Sequence, residues 1–455
     1  MKNYAIVLAA GKGTRMKTDL PKASYPLLKK PMIKYVLNAL DESSIDEKIV
    51  VVGHKKEVFE EMLQDSVSFA YQFEQLGTGH AVKCALDLLE DESGSTIILC
   101  GDMPLITGDI INNLLENNKD EQKAVTVVST IVDNPTSYGR IVRDERGFID
   151  CIVEEKDATY NQKQIKEINT GLYCVKTKVL KLLLDELKPN NAQNEYYLTD
   201  IIKIAREKGL LVDAYCKQDS SCFLGVNNLY DLSVAALTLK MRINKKHMLN
   251  GVAIIDPTTV TISDEAEIEP GVEIHPNTYI TGETYIETGC VIGPNTEIHN
   301  SRIGKETTVR HSLITDCKVG SKTTVGPFAH LRNGAVIGDK MRIGNFVEIK
   351  NSQIDDGTKI SHLTYVGDTT CGKNVNFGCG SVTVNYDGVK KHRTTIGDNV
   401  FLGCNVNLIA PVKVGSNTFI AAGSTITDDV PDEAFTIARK RQITKEHYKV
   451  KRKDI

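Results

Sequence analysis

The first residues able to do chemistry follow the first apolar run. Tyr4-Ala5-Ile6-Val7-Leu8 leads into Ala9-Ala10-Gly11-Lys12-Gly13-Thr14-Arg15-Met16. Backbone amides in such a turn can approach an anion closely, because glycine has no Cβ to stand in the way. Lys12, Arg15 and nearby Lys22 bring positive charge. The chemistry is phosphate binding, but of neither common kind. A dinucleotide fingerprint requires a third glycine where Met16 stands, and a Walker A loop is absent. Asp102, just after Thr96-Ile97-Ile98-Leu99-Cys100-Gly101, places a carboxylate at the end of another apolar run.

Elements that alternate in type position these groups. Continuous apolar runs at 4–8, 49–52 and 96–100 read as buried parallel strands. Between them, Pro31 opens a helix with Met32, Ile33, Val36, Leu37 and Leu40 on one face, and His80 to Leu89 reads as another helix. The pattern predicts an α/β, Rossmann-like, mostly parallel doubly wound sheet. Ligands of such sheets bind beyond the carboxyl ends of the strands, so the glycine turn and Asp102 should face one crevice.

The second half has a different period. Ile262, Ile268, Ile274, Ile280, Ile286, Ile292 and Ile298 recur every six residues. The step shortens to five on the way to Ile303, Ile314, Val319 and Ile354, and the beat otherwise continues to Val366, then from Ile396 to Ile426. Period six fits neither a helix nor an alternating strand, and predicts a stacked β-helix of about eighteen residues per coil and about nine or ten coils. One interruption, Asn385-Tyr386-Asp387-Gly388-Val389-Lys390-Lys391-His392-Arg393, is a loop expelled from the regular stack. Such loops usually serve function. Between the halves, Leu229, Leu232, Ala236, Leu239 and Ile243 step as one helix face before Gly251. The expected division is 1–227, a linker helix at 228–250, and 251–455.

Composition narrows the class. The 455 residues carry a net charge of −4, which does not suggest nucleic-acid binding. Residues 439–455 hold eight Lys/Arg against two acids, leaving the remainder at −10. That basic tail could contact a phosphorylated ligand. Eleven scattered cysteines without a Cys-x-x-Cys pair suit free thiols in a reducing cytoplasm. No 18-residue apolar run is present, so neither membrane insertion nor a signal peptide is expected.

Longer motifs are more specific. Leu8 to Met16 with Pro21-Lys22 resembles the signature of sugar-nucleotide pyrophosphorylases. Gln72-Phe73-Glu74-Gln75-Leu76-Gly77-Thr78-Gly79-His80, Cys100-Gly101-Asp102 and Gly225-Val226-Asn227-Asn228 extend the match. With the hexads behind them, the whole chain resembles the bifunctional GlmU family. That family joins an N-acetylglucosamine-1-phosphate uridyltransferase to a glucosamine-1-phosphate N-acetyltransferase on a C-terminal left-handed parallel β-helix.

The resemblance implies that Leu8, Ala9, Ala10, Gly11 and Lys22 line a UTP site, that Gln72, Gly77 and Thr78 frame the uracil, and that Gly139, Glu154 and Asn169 hold the sugar. It implies Asp102 and Asn227 as Mg²⁺ ligands. For Asn227 taken alone, a helix cap is the competing reading. In the hexads it implies His362 as the catalytic base, with Arg332, Lys350, Tyr365 and Asn376 around glucosamine 1-phosphate. Acetyl-CoA would meet Cys379, Asn385, Tyr386, Cys404, Ala422 and Arg439. Two positions depart from the family, which would have a small residue such as Ala at Cys379 and Ser at Cys404. The implied assembly is a homotrimer with sites between subunits. Two other readings are a single-activity nucleotidyltransferase whose hexads only oligomerise or bind an effector, and a non-catalytic regulatory subunit.

Overall fold

The computed structural model describes residues 1–11, 13–218, 220–223 and 225–447. Lys12 and the tail beyond His447 lie outside the described residues. The chain folds as two compact units, Met1–Leu239 and Lys240–Ile455.

Seven strands form the main run of the first unit's sheet, which Arg140–Arg143 and Ile149–Val153 extend to nine: β1 (Tyr4–Leu8), β2 (Glu47–Val52), β3 (Ser68–Tyr71), β4 (Ser95–Cys100), β5 (Lys123–Ile131), β6 (Glu167–Lys176) and β7 (Leu211–Lys217). Their order is β7-β5-β6-β4-β1-β2-β3. β1, β2, β3 and β4 pair in parallel, as do β5 and β7, and β6 runs antiparallel between β4 and β5. Both faces of β1 are covered. Tyr4 and Ile6 belong to one core, Ala5 and Val7 to the other, which is why the strand is apolar throughout. The helix Met32–Asp41 follows Pro31 and buries the expected face. The helix expected over 80–89 is shorter: Thr78–Lys83 is helical and Leu86–Leu88 is a 3₁₀ turn. The tighter bonds, Ala85 N to Val82 O (3.0 Å) and Leu89 N to Leu86 O (3.1 Å), accompany core positions for Ala85 and Leu89.

The helix Leu229–Leu249 occupies the expected join. Its buried stripe is Ala235, Leu239, Ile243 and His247, while Leu229, expected on that face, is exposed.

The second unit is a left-handed parallel β-helix. Ile262 lies beside Ile280 and Ile280 beside Ile298, so each regular coil advances 18 residues. Where the sequence steps by five, coils shorten: Ile286 meets Ile303 and Ile298 meets Ile314. After Val366 the beat continues in other residue types. Cys371 stacks on Ile396, Phe377 on Leu402 and Thr383 on Leu408. Each of those steps is 25 residues, seven more than a regular coil, and the excess is the expelled loop. Corners require left-handed backbone: Phe328, Phe346, Leu363 and Asn405 have φ of 60°, 56°, 44° and 55°.

Candidate functional sites

At the carboxyl ends of β1 and β4 the two chains leave the sheet together. Leu8 and Cys100 are register partners, and Gly101 N donates to Leu8 O at 3.0 Å. Ala9–Gly11 and Asp102 therefore border one cleft of about 380 Å³. Ten of the expected residues line it: Leu8, Ala9, Ala10, Gly11, Lys22, Gln72, Gly77, Thr78, Asp102 and Asn227.

The polar centre is compact. The Lys22 ammonium pairs with Asp102 Oδ2 and donates to Asn227 Oδ1 at 3.1 Å. Arg15 Nη2 donates to the same Asn227 oxygen at 2.9 Å. One carboxylate and one amide oxygen thus converge on a single point beside the glycine turn. The helix cap that competes at Asn227 is supplied by its neighbour. Asn228 is the cap, its Oδ1 accepting from Tyr230 N (2.9 Å) and Asp231 N (3.0 Å), and this leaves the Asn227 oxygen facing the cleft.

The glycines differ in reason. A Cβ on Gly11 would meet nothing within 4 Å, so the fold does not require glycine there, and the space lies open to a ligand. Gly77 has φ of +110°, and a Cβ there would sit 2.6 Å from Tyr196 O. It lets the segment before the helix pack directly on the Tyr196 backbone, with Tyr196 N donating to Leu76 O at 2.8 Å. Buried Gln72 holds this segment from beneath, its Nε2 donating to Gly77 O at 3.0 Å. Thr78 Oγ1 accepts from Leu198 N at 3.0 Å.

Gly139, Glu154 and Asn169 form a neighbouring group that does not line this cleft. Asn169 N donates to Gly139 O at 2.9 Å, and a Cβ on Gly139 would lie 3.4 Å from Glu154 Oε1. Burial pushes the Glu154 carboxyl up, and the charges of Asp157 and Asp200 act in the same direction. A register shift in β6 between Asn169 and Tyr173 brings Gly171 to the side of Cys100, which does line the cleft. Gln75 and Glu195 also line it and were not anticipated. Nothing in the sequence around Glu195 signals this; the Tyr196 backbone clamp delivers it.

In the second unit the expected residues gather around one edge of the prism. Neighbouring backbone bonds link Cys379 O to Asn405 N (2.8 Å) and Cys404 O to Gly423 N (2.8 Å). Together with the pairing of Asn345 with His362, they place His362, Cys379, Cys404 and Ala422 at one corner of successive coils. Arg439 closes the column, its Nη1 donating to Ala422 O at 2.8 Å. His362 is exposed, and its Nδ1 lies 2.7 Å from Asn345 Oδ1. An amide oxygen only accepts, so in the neutral ring Nδ1 carries the hydrogen and Nε2 is the acceptor nitrogen. Asn345 was not anticipated.

Beside the corner, Arg332 and Lys350 are register partners on one face. Arg332 pairs with Glu348 at 2.6 Å. Neighbouring Lys391, from the expelled loop, holds the Lys350 ammonium below its ordinary range, and burial and Arg332 act in the same direction. This concentration of cations suits an anion. Asp368 is pushed up by burial but held low overall by hydrogen bonds from Asn351 and Asn385 and by both lysines. Asn385 also reaches Tyr365 Oη at 3.4 Å, so Lys350, Tyr365, Asp368 and Asn385 form one network. Tyr386 is exposed on the loop, its hydroxyl donating to Gly388 O at 2.7 Å. Asn376 pairs with Lys359 and Phe401 on the adjoining face, so this chain does not bring it to Tyr365.

Comparisons with known proteins agree with both halves. A nucleotidyl transferase family model matches residues 4–231, a GMPPB C-terminal domain model 256–341, and a bacterial transferase hexapeptide model (six repeats) 393–428. The bifunctional protein GlmU of Acholeplasma laidlawii is 54% identical over 448 residues, covering 98% of this chain and 97% of the relative. That of Caldanaerobacter subterraneus subsp. tengcongensis is 51% identical over 442 residues, covering 97% and 96%. That of Geobacillus sp. (strain WCH70) is 48% identical over 448 residues, covering 98% of each. With a strand-end cleft in one unit and a histidine-bearing hexapeptide edge in the other, the chain belongs to the bifunctional GlmU family.

Proposed function

We propose that the chain makes UDP-N-acetylglucosamine in two steps at two separate sites. At the β-helix edge, acetyl-CoA acetylates the 2-amino group of glucosamine 1-phosphate. In the strand-end cleft, the phosphate of N-acetylglucosamine 1-phosphate attacks the α-phosphorus of UTP and pyrophosphate leaves. The observation that carries this reading is that each unit holds its own constellation, Lys22–Asp102–Asn227 in one and Asn345–His362 in the other.

Both reactants of the uridyl transfer are anionic, so its chemistry is positioning and charge neutralisation. Asp102 and Asn227 would hold Mg²⁺, because one carboxylate and one amide oxygen leave room for substrate phosphates and water. The ion supplies Lewis-acid neutralisation of the phosphates. Lys22 moves from its ion pair with Asp102 to the substrate phosphates, and the Gly11 gap admits them close to the backbone. Gln72, Gly77 and Thr78 frame the base, and Gly139, Glu154 and Asn169 hold the sugar.

In acetyl transfer, His362 Nε2 removes the amine proton as nitrogen attacks the thioester, and Asn345 fixes the ring orientation and the tautomer that presents Nε2 as the acceptor. Arg332 and Lys350, joined by Lys391, hold the sugar phosphate, and Tyr365 and Asn376 bound the sugar. Acetyl-CoA lies along Cys379, Cys404, Ala422 and Arg439, with Asn385 and Tyr386 beside it. Because Asn376 lies on a different face from Tyr365, the site is completed by a neighbouring copy in a homotrimer. No helix among the described residues is long and apolar enough to cross a membrane, and we place the enzyme in the cytoplasm.

The deciding experiment supplies glucosamine 1-phosphate, acetyl-CoA, UTP and Mg²⁺, and identifies each product. Expected are free CoA, pyrophosphate and UDP-N-acetylglucosamine. Release of pyrophosphate from UTP when N-acetylglucosamine 1-phosphate is supplied, with no acetylation of the amine of glucosamine 1-phosphate, would reduce the chain to a single activity.

A further inference from the structure

Cys379 and Cys404 occupy the same corner of consecutive coils. Asn405 N donates to Cys379 O at 2.8 Å, and a Cβ on Gly378 would lie 2.5 Å from Cys404 N, so the two rungs are in close contact. Rungs of a parallel ladder stand roughly 4.8 Å apart. That falls within the Cα separation of roughly 4.4–6.8 Å that a disulfide spans. Both are free thiols; Cys404 is exposed and Cys379 partly so. The thiols of Cys174 and Cys371, by contrast, lie in the interior, where burial pushes the former up to about 12 and the latter higher still.

We propose that Cys379 and Cys404 form a dithiol modification site whose reactant is a hydroperoxide. The Cys404 thiolate, the more exposed, attacks one peroxide oxygen; the O–O bond breaks, and a sulfenic acid and an alcohol or water form. The Cys379 thiolate then attacks that sulfur, an S–S bond forms, and the expelled hydroxide takes a proton to become water. The thiols together lose two electrons and two protons, and the peroxide gains them. The bridge lies across the column between His362 and Ala422. It therefore closes the edge to acetyl-CoA and leaves the strand-end cleft untouched; this consequence rests on the proposed acetyl-CoA placement.

The test treats the full chain with hydrogen peroxide, maps disulfides by mass spectrometry of unreduced peptides, and follows both reactions. A peptide linking Cys379 to Cys404 is expected. Acetyl transfer should fall by about a hundredfold, the scale of a misplaced reactant, and return with dithiothreitol. Uridyl transfer should hold its rate. Cys404→Ser cannot form the bridge and should keep through peroxide whatever acetyl-transfer rate it started with. If these two cysteines end unlinked, or as sulfinic acids, the dithiol site is overturned. If the bridge forms and acetyl transfer persists, the dithiol stands and the proposed acetyl-CoA line falls instead.

Discussion

The two candidate sites solve opposite geometric problems. The cleft of the first unit is concave and closed by one chain: strand ends supply Leu8 and Asp102, the Tyr196 segment supplies Glu195, and the start of a helix supplies Asn227. The edge of the second unit is convex. A solenoid corner offers one residue per coil, so its groups form a line, His362, Cys379, Cys404 and Ala422, with cations on one adjoining face and Asn376 on the other. A concave site surrounds its ligand unaided, whereas a line on a convex edge does so only when something covers it. The expelled loop covers part, bringing Lys391 to Lys350 and Asn385 to Tyr365.

The contrast breaks most sharply with reciprocal lesions. His362→Ala should lower acetyl transfer by about 10²–10⁴-fold, the usual contribution of a general base, and leave uridyl transfer intact. Asp102→Ala should do the reverse on a similar scale, measured as Mg²⁺-dependent release of pyrophosphate from UTP. If either change damages both reactions, the sites are not independent.

Asn345→Ala tests whether the edge is pre-organised as the cleft is. Without the amide oxygen the imidazole loses its fixed tautomer, and kcat for acetyl transfer should fall by about 10–100-fold, the cost seen when a group orienting a functional histidine is removed. Asn345→Asp, which also accepts from Nδ1–H, should recover most of the rate. It should also raise the pH at which His362 deprotonates, so the acid limb of the pH–rate profile moves upward. An unchanged kcat in Asn345→Ala together with an unchanged acid limb in Asn345→Asp would remove Asn345 from the mechanism.

Lys391→Met probes the cation cluster. Phosphate affinity needs a charged Lys350, so it is present below the Lys350 pKa and is lost as pH rises through it. Lys391 depresses that pKa, so the loss comes at lower pH than for an ordinary lysine. The variant should weaken sugar-phosphate binding roughly tenfold at neutral pH, as one charge-assisted contact goes. It should also move the alkaline loss to higher pH. Isothermal titration across pH reads both effects, and an alkaline limb that stays put would separate Lys391 from Lys350.

The smallest effects come from two glycines of the cleft. Gly77→Ala meets backbone at φ +110° and should destabilise the first unit by about 1–3 kcal/mol, seen in thermal unfolding. Gly11→Ala should leave unfolding unchanged, since its Cβ meets nothing, yet weaken UTP binding several-fold. Equal stability loss in both would show that the Gly11 space is not reserved for a ligand.

Much of this architecture is legible in order along the chain. The period of six sets the coil, and even its irregularities translate directly: five-residue steps become coils of 16 or 17 residues. Each side of a stacked coil buries its aliphatic residue and the smaller residue four places on, as Ile262 with Ala266 and Ile274 with Thr278, so any slip would move an aliphatic side chain out of the core. The strand at Tyr4–Leu8 and the helix after Pro31 are equally plain, because each buries a whole face or stripe. Boundaries set by local packing were not legible. The helix over 80–89 ends early, and the beat after Val366 continues through Cys371, Phe377 and Thr383, which no aliphatic template detects.

By itself the sequence determined the two folds, the glycine turn, the expelled loop and, through family motifs, most of the candidate residues proposed for both sites. Periodicity and local motifs are carried by neighbouring residues, and neighbours are what a sequence displays. Only the tertiary structure decided which distant groups meet. Lys22 and Asn227 are 205 residues apart and come within 3.1 Å because β1 and β4 end side by side. Asn345 reaches His362, and Lys391 reaches Lys350, only because coils stack and the loop folds back over them. Glu195 enters the cleft on a backbone clamp that has no sequence signature. Such meetings depend on register and loop path, which packing of the whole chain fixes and no single stretch encodes.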